Sequence, residues 1–227
     1  MNSGEPLSLS FLGGTGAEGA ALALRYARAG HAVAIGSRNP ERAQGAADAI
    51  NKQLGNGETI ATPHDNRGAV LASSVVFLTI PYAGIEETLA PLAGEIGDRI
   101  VISTIVPMTF ENRRPVLVPL AAGSAAQEVQ RVLPTARVIG AFHHVSAKHL
   151  EEVEHALEGD VLVCGNDAQA KSIVLGLTAE LAYLRPLDAG GLDIAHSLEA
   201  LTPVLLGLNR RYRSQAGLKI IGLDGNG

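Results

Sequence analysis

The side chains and spacings best suited to chemistry fall in two stretches of this chain. The first is Gly13-Gly14-Thr15-Gly16-Ala17-Glu18-Gly19, in which Gly14, Gly16 and Gly19 form GxGxxG. By spacing, Gly14 permits a tight turn, Gly16 lets the backbone approach a pyrophosphate, and Gly19 lets the following helix lie close to the preceding strand. The first N–H groups of that helix lack intrahelical partners and would face the anion. About twenty residues on, where such a fold discriminates at the ribose 2′ position, a second strand ends in Gly36-Ser37-Arg38, with no Asp or Glu. An acidic side chain there would accept from a free 2′-hydroxyl and repel a 2′-phosphate. A hydroxyl and a guanidinium favour the phosphate, and Arg42 follows one helical turn later. The pattern indicates NADP(H) rather than NAD(H).

The second stretch is Gly140-Ala141-Phe142-His143-His144-Val145-Ser146-Ala147. A polar pair that follows a buried strand sits at the strand's exit, on the ligand side of an open sheet. Adjacent histidines cannot both face one metal from a helix, and no carboxylate or cysteine lies at ligand spacing nearby, so no metal site is expected. Two readings stand: hydrogen bonding to a bound ring, or a loop histidine paired with backbone.

The elements that must position these groups are legible in outline. Residues 7–12 form an apolar strand, 17–29 an alanine-rich helix closed by Gly30, and 31–35 the second strand. Asn39-Pro40-Glu41 starts a helix to about residue 54, with proline at its first position. A third strand is expected near 59–62, a short helix near 66–72, and a strand at 75–80 that stops at Pro81, which places Ile80-Pro81-Tyr82 over a bound cofactor. A helix at 84–94, a strand at 99–103 and the turn Val106-Pro107-Met108 continue the alternation. Periodicity fails over 110–119, where two prolines and Arg113-Arg114 predict an ordered loop or lid. Helix 124–133 and strand 137–141 restore it, giving at least six strands. Helix 148–157, strand 160–164, a helix to about 181 capped by Asp167, and a short strand or turn at 184–191 come next. A last helix, 192–212, should be kinked by Pro203. The fold expected is α/β: a Rossmann-type doubly wound, mainly parallel sheet over residues 1–141, with a smaller α/β cap over 142–227 packed on the sheet edge.

Composition narrows the function classes. The chain has 227 residues, is 46% hydrophobic and contains no apolar run of membrane-spanning length. Met1–Pro6 has neither a basic start nor an apolar centre, so a cytoplasmic protein is expected. A net charge of −5 without a Lys/Arg arm argues against nucleic acid as a partner. The arginines of Arg210-Arg211-Tyr212-Arg213 read as the solvated last turn of a helix, with anion binding as the alternative. The single cysteine, Cys164, excludes an internal disulfide and reads as a small buried side chain. A homodimer is the default assembly.

Leu12-Gly13-Gly14-Thr15-Gly16, Gly36-Ser37-Arg38, Leu78-Thr79-Ile80-Pro81, Val106-Pro107, Ala141-Phe142-His143, Val163-Cys164-Gly165-Asn166-Asp167, Leu184-Arg185-Pro186-Leu187-Asp188-Ala189-Gly190 and Glu199-Ala200-Leu201-Thr202-Pro203 together resemble the F420H2:NADP+ oxidoreductases over nearly the whole chain. The resemblance implies reversible hydride exchange between C4 of the nicotinamide of NADP(H) and C5 of the deazaflavin coenzyme F420, with both coenzymes as small-molecule partners. It implies that Thr15, Gly16, Ala17 and Glu18 meet the pyrophosphate and neighbouring sugar, and that Ser37, Arg38 and Arg42 hold the 2′-phosphate. Ile80, Pro81 and Val106 would lie by the nicotinamide half and Ala147 near its amide. His143 would touch the deazaflavin, with Thr202, Leu218 and Ile220 closing its pocket. The chain departs from many members at His144, Ser146 and Ala200, where they carry Thr, Pro and Ser; Ala200 removes one possible hydrogen bond to the ring. Such a reaction proceeds by positioning, so neither a triad nor a carboxylate dyad is expected. The alternatives are an NADPH-dependent reductase of a small carbonyl or imine, which would need a catalytic lysine or aspartate in the cap, and a nonenzymatic NADPH-binding sensor.

Overall fold

In the computed structural model, which describes residues 6–55, 60–153 and 157–223, the strands close into one eight-stranded sheet plus a separate two-stranded hairpin. The first part runs β1 (Ser8–Leu12), α1 (Ala17–Arg28), β2 (Ala32–Gly36), α2 (Pro40–Leu54), β3 (Ala61–His64), α3 (Asn66–Leu71), β4 (Val75–Leu78), α4 (Ile85–Leu89), α5 (Ala93–Ile96) and β5 (Ile100–Ser103). The hairpin β6 (Met108–Glu111) and β7 (Arg114–Leu117) follows. The chain then forms α6 (Ala125–Val132), β8 (Arg137–Gly140), α7 (Ala147–Glu151), β9 (Gly159–Gly165), α8 (Ala168–Glu180), β10 (Leu184–Gly190), α9 (Ala195–Glu199) and α10 (Leu201–Tyr212). Spatial order is β10-β9-β8-β5-β4-β1-β2-β3.

The six strands from β3 to β8 are mutually parallel and follow the order of a doubly wound dinucleotide fold, with the reversal between β1 and β4. Parallel strands are covered on both faces, and β4 and β5 are accordingly buried at every residue. One face carries Phe11, Tyr26, Phe77 and Phe142, with Phe11 and Phe77 stacked at 4.6 Å between centroids. The other carries Leu12, Val76, Leu78, Val101, Cys164 and Leu198.

The C-terminal segment differs from a cap laid on the sheet edge. β9 joins β8 antiparallel through Ile139↔Gly165 and Gly140↔Cys164, and β10 pairs parallel with β9, so the segment continues the same sheet. α8 packs on the Phe142 face and α9 on the Cys164 face. Pro186 lies in the edge strand, where a missing N–H interrupts no ladder.

Three further differences have local causes. Residues expected to form an ordered loop or lid make the β6–β7 hairpin, turned by Asn112 (φ 49°) and Arg113 (φ 63°); this left-handed pair lacks the glycine that usually announces such a turn. The helix expected over 148–157 ends at Glu151, because the buried Arg25 guanidinium of α1 takes the carbonyls of His149, Leu150 and Glu152; residues 154–156 lie outside the described residues. The last helix breaks at Ala200 into α9 and α10, since Pro203 has no N–H to give the Glu199 carbonyl. Among the described residues no helix is long and apolar enough to cross a membrane.

Candidate functional site

The β1–α1 turn is tight because of Gly13 as well as Gly14, whose N donates to the Phe11 carbonyl and where a Cβ would come within 2.9 Å of that oxygen. Gly13 sits at φ 86°, and a Cβ there would come within 2.6 Å of the Thr79 carbonyl oxygen. Gly19 is the close-approach position: a Cβ would lie 2.4 Å from Thr79 Oγ1 and 2.9 Å from both the Gly13 carbonyl oxygen and Gly14 Cα. Gly16 faces outward, its nearest neighbour the Gly13 carbonyl oxygen at 3.4 Å. It is also the N-cap of α1 and offers no side-chain acceptor, so the first N–H groups of that helix remain for an external anion.

A cavity of about 750 Å³ opens in front of this turn and brings together Thr15, Gly16, Ser37, Arg38, Arg42, Ile80 and Pro81. The β2–α2 turn is fixed from within: Asn39 N donates to Ser37 Oγ (3.1 Å) and Arg42 N to Asn39 Oδ1 (2.9 Å), which starts α2 with Arg42 in its first turn. Arg38 Nη1 lies 3.3 Å from Glu87 Oε1 of α4 at the cavity wall. Ala17 and Glu18 occupy the first turn of α1. Desolvation pushes the Glu18 carboxyl up to about 8 against the pull of a hydrogen bond with Thr104, which lessens its repulsion of an anion at the helix terminus. Val106 is half-buried just beyond β5.

A second cavity, of about 270 Å³, holds His143, Ala147 and Thr202. Phe142, fully buried, adopts φ 65°, an uncommon conformation for a bulky side chain, and turns the chain sharply after β8. The His143 ring then lies over the strand end, its Cε1 3.1 Å from where a Gly140 Cβ would be. Both its ring nitrogens are buried without a partner, as is the hydroxyl of Ser103, the register neighbour of Gly140 in β5. Burial, with His144 adding to it, holds the His143 pKa down at about 3, so the ring is neutral. Thr202 Oγ1 donates to the His143 carbonyl at 2.7 Å, which leaves that hydroxyl free to accept but not to donate. His144 diverges from His143: its Nε2 donates to the Asp160 carbonyl at 2.9 Å, the backbone-paired reading.

Leu218 and Ile220 do not line the His143–Thr202 cavity. Leu218 lines a small adjoining space that shares His144, Val145, Ser146 and Ala216 with it, and the backbone of this tail straps β9 to β10. Asp160 N donates to the Leu218 carbonyl (2.7 Å), Ile220 N to Asp160 Oδ2 (2.5 Å), and Arg185, paired bidentately with Asp160, donates to the Ile220 carbonyl (2.6 Å). The Arg185 guanidinium holds the Asp160 carboxyl below its ordinary value.

Several residues at the site escaped the sequence reading. Asn66 lines the first cavity with a buried, unpartnered Oδ1, and Glu87 opposes Arg38. Ser103 ends β5 unpartnered, and Glu199 is wholly buried. Its carboxylate accepts from Ala125 N (3.0 Å) and Ala126 N (3.1 Å), while burial pushes it up to about 7 against these two bonds. Nothing local marks these residues; Glu87 and Glu199 find their partners far along the chain, and the polar atoms of Asn66 and Ser103 are left buried by the fold.

The His143 environment has a consequence for acid stability. The unfolded histidine takes its proton near 6.5 and the folded one near 3, so between these values the unfolded state holds more protons. Stability from this group is complete above about pH 6.5 and falls as the pH drops toward 3. His143→Gln should therefore narrow the loss of unfolding free energy between pH 7 and pH 5 by about 1–2 kcal/mol, read from denaturant midpoints; parallel curves for the two proteins would contradict a neutral buried ring.

Residues 8–107 match the family described as NADP oxidoreductase coenzyme F420-dependent. An F420-dependent NADP reductase from Methanocaldococcus jannaschii is 37% identical over 225 residues, 96% of this chain and all of that protein. The chain belongs to the F420-dependent NADP reductase family. A second member, from Methanothermobacter thermautotrophicus, is 33% identical over 96% of each chain. A crystal structure described as a candidate F420-dependent NADP reductase from Arthrobacter superimposes with a TM-score of 0.79 at 25% identity, over 94% of this chain and 99% of that one. The family profile covers the glycine turn, Ser37-Arg38, Ile80-Pro81 and Val106, while the full-length members also cover the His143 and Thr202 segments.

Proposed function

We propose that this protein transfers a hydride reversibly between C4 of the nicotinamide of NADP(H) and C5 of the deazaflavin of coenzyme F420. The observation that carries the reading is the convergence of two differently built cavities on neighbouring strand ends. Ile80 and Pro81 follow β4, Ser103 ends β5, and His143 follows β8. Residues 1–141 supply the dinucleotide side and 142–227 the deazaflavin side.

On the dinucleotide side the α1 terminus and the outward face of Gly16 suit a pyrophosphate, and Ser37, Arg38 and Arg42 suit a 2′-phosphate. Thr15, Ala17 and Glu18 border the pyrophosphate, while Ile80, Pro81 and Val106 give the nicotinamide half an apolar bed. On the other side the orphaned nitrogens of His143 are the polar atoms that a flat heterocycle with hydrogen-bonding edges would satisfy. Being neutral, His143 offers one donor and one acceptor and no charge. Thr202 acts first by holding the His143 loop, and Ala147 borders the same cavity. No side chain has to exchange a proton; the protein's part is to hold two donor and acceptor carbons at about 3–3.5 Å and exclude water. Mixing the protein with NADPH and oxidised F420 should bleach the deazaflavin's visible band, with NADH far less effective. Tight NADPH binding without bleaching would return the sensor reading.

The Arg38–Glu87 pair must open before Arg38 can grip a phosphate. Both side chains are largely exposed, so the pair is weak, at most about 1 kcal/mol. Glu87→Gln is expected to tighten NADP(H) by up to about fivefold and leave NAD(H) unchanged, measured by titration of cofactor fluorescence. Weaker NADP(H) binding would show that Glu87 serves the ligand instead.

The reading includes a cytoplasmic homodimer. α10 buries none of its residues and exposes Val204, Leu208 and Tyr212, with Phe110 of the hairpin also exposed. Sedimentation should give twice the 23.5 kDa chain mass; a monomer at micromolar concentration would remove this part.

A further inference from the structure

The α9–α10 junction carries Thr202 between α9, which packs in the core through Ala195 and Leu198, and α10, which has no fully buried residue. Pro203 removes the bond that would have bridged the break at Ala200, and α10 buries no residue along its length. Two polar anchors flank the break. Thr202 ties its far side to the His143 carbonyl at 2.7 Å. Glu199 ties its near side to α6, through the N–H groups of Ala125 and Ala126.

The second anchor completes the start of α6 from a distance, taking the N–H groups of the buried Ala125 and Ala126 that the local cap does not reach. Ser124 already caps that helix, accepting from Gln127 N at 3.1 Å. The carboxylate comes from 74 residues away and is fully buried, so its desolvation penalty is met by these two bonds and ties α9 to α6 at a fixed distance. Its placement is what stands out. Glu199 is on the same face as Cys164, whose Sγ would lie 2.9 Å from a Gly140 Cβ, beside the His143 ring that occupies the same strand end. The chain that reaches α6 also comes directly from the hairpin, and β7 of that hairpin packs against α10.

We propose that Glu199 is a positioning residue for hydride transfer: by gripping the start of α6 it fixes the α9–α10 junction, and through Thr202 the His143 loop, at the ring site. This rests on the assignment of the His143–Thr202 cavity to the deazaflavin. Glu199 does not touch the reacting groups; its effect is to keep a helix whose packing face is only half-buried in one orientation.

Steady-state kinetics of E199Q test it. The amide keeps the size of the carboxylate but can accept with only one of its two heads, so one N–H of α6 faces an NH2 group. The KM for F420 should rise at least fivefold and kcat should fall, with the KM for NADPH within twofold of wild type. If E199Q does not fold, A125P is read in its place: proline is tolerated at the first position of a helix and removes one of the two donors, so the same split is expected. Unchanged F420 kinetics would overturn the proposal, and equal rises in both KM values would reduce Glu199 to a general stabiliser. Absence of F420 reduction by the wild-type protein would instead overturn the deazaflavin assignment itself, and the proposal with it.

Discussion

Alanine at Gly16 and alanine at Gly19 should damage the same motif in two different ways. At Gly19 the added methyl meets Thr79 Oγ1, the Gly13 carbonyl and Gly14 Cα, two of them backbone that can yield only if α1 shifts from β1. Gly19→Ala is expected to lower the unfolding free energy by about 2–3 kcal/mol, the range for overpacking a tight contact, and to impair cofactor binding as a consequence. At Gly16 the methyl has only the Gly13 carbonyl at 3.4 Å beside it and points toward the cavity. Gly16→Ala should keep stability within about 1 kcal/mol, the scale of a helix N-cap change, yet weaken NADP(H) at least tenfold, about 1.4 kcal/mol. Denaturant midpoints and cofactor titrations on both variants separate the effects. A Gly16→Ala protein that bound NADP(H) as tightly as wild type would remove the pyrophosphate from this turn.

Arg38→Ala is the second large effect expected, and it discriminates between cofactors. A guanidinium that holds a phosphate makes charge-assisted hydrogen bonds, and losing them costs about 1.5–3 kcal/mol, or about ten- to 150-fold in affinity. NAD(H), which has no 2′-phosphate, should bind almost unchanged. Arg42 remains in the cavity after the substitution, and the exchange with Glu87 already offsets part of Arg38's contribution, so the loss should be near the lower end for the single variant. Equal losses for NADP(H) and NAD(H) would contradict the assignment of Ser37, Arg38 and Arg42 to the 2′-phosphate.

The parts of this molecule that were legible in sequence are those encoded by near neighbours. The glycine turn, the Asn39 and Asp167 caps, the all-apolar strands β4 and β5, and the break at Pro203 each follow from residues within one or two turns of one another. Even there the part played by Gly13 was not legible, because its positive φ depends on how β1 meets Thr79. The hairpin was missed since its strands are four residues long, contain Pro115, and turn through Asn112-Arg113 rather than Asn-Gly. Strand direction at β9 was not readable, as parallel and antiparallel neighbours of a buried strand look alike in sequence. The site divides in the same way. Ser37, Arg38 and His143 announce themselves by following strands, whereas Glu87 and Glu199 matter through partners that only the folded chain brings near, and Ser103 through its place beside Gly140.

Isotope tracing follows the hydrogen itself as it passes between two rings held side by side. With NADPH deuterated on the transferable position of C4 and oxidised F420 in ordinary water, the account predicts deuterium at C5 of the reduced deazaflavin, from one face of the nicotinamide only. Deuterium recovered in water, or F420 left oxidised while NADPH is bound, would contradict it.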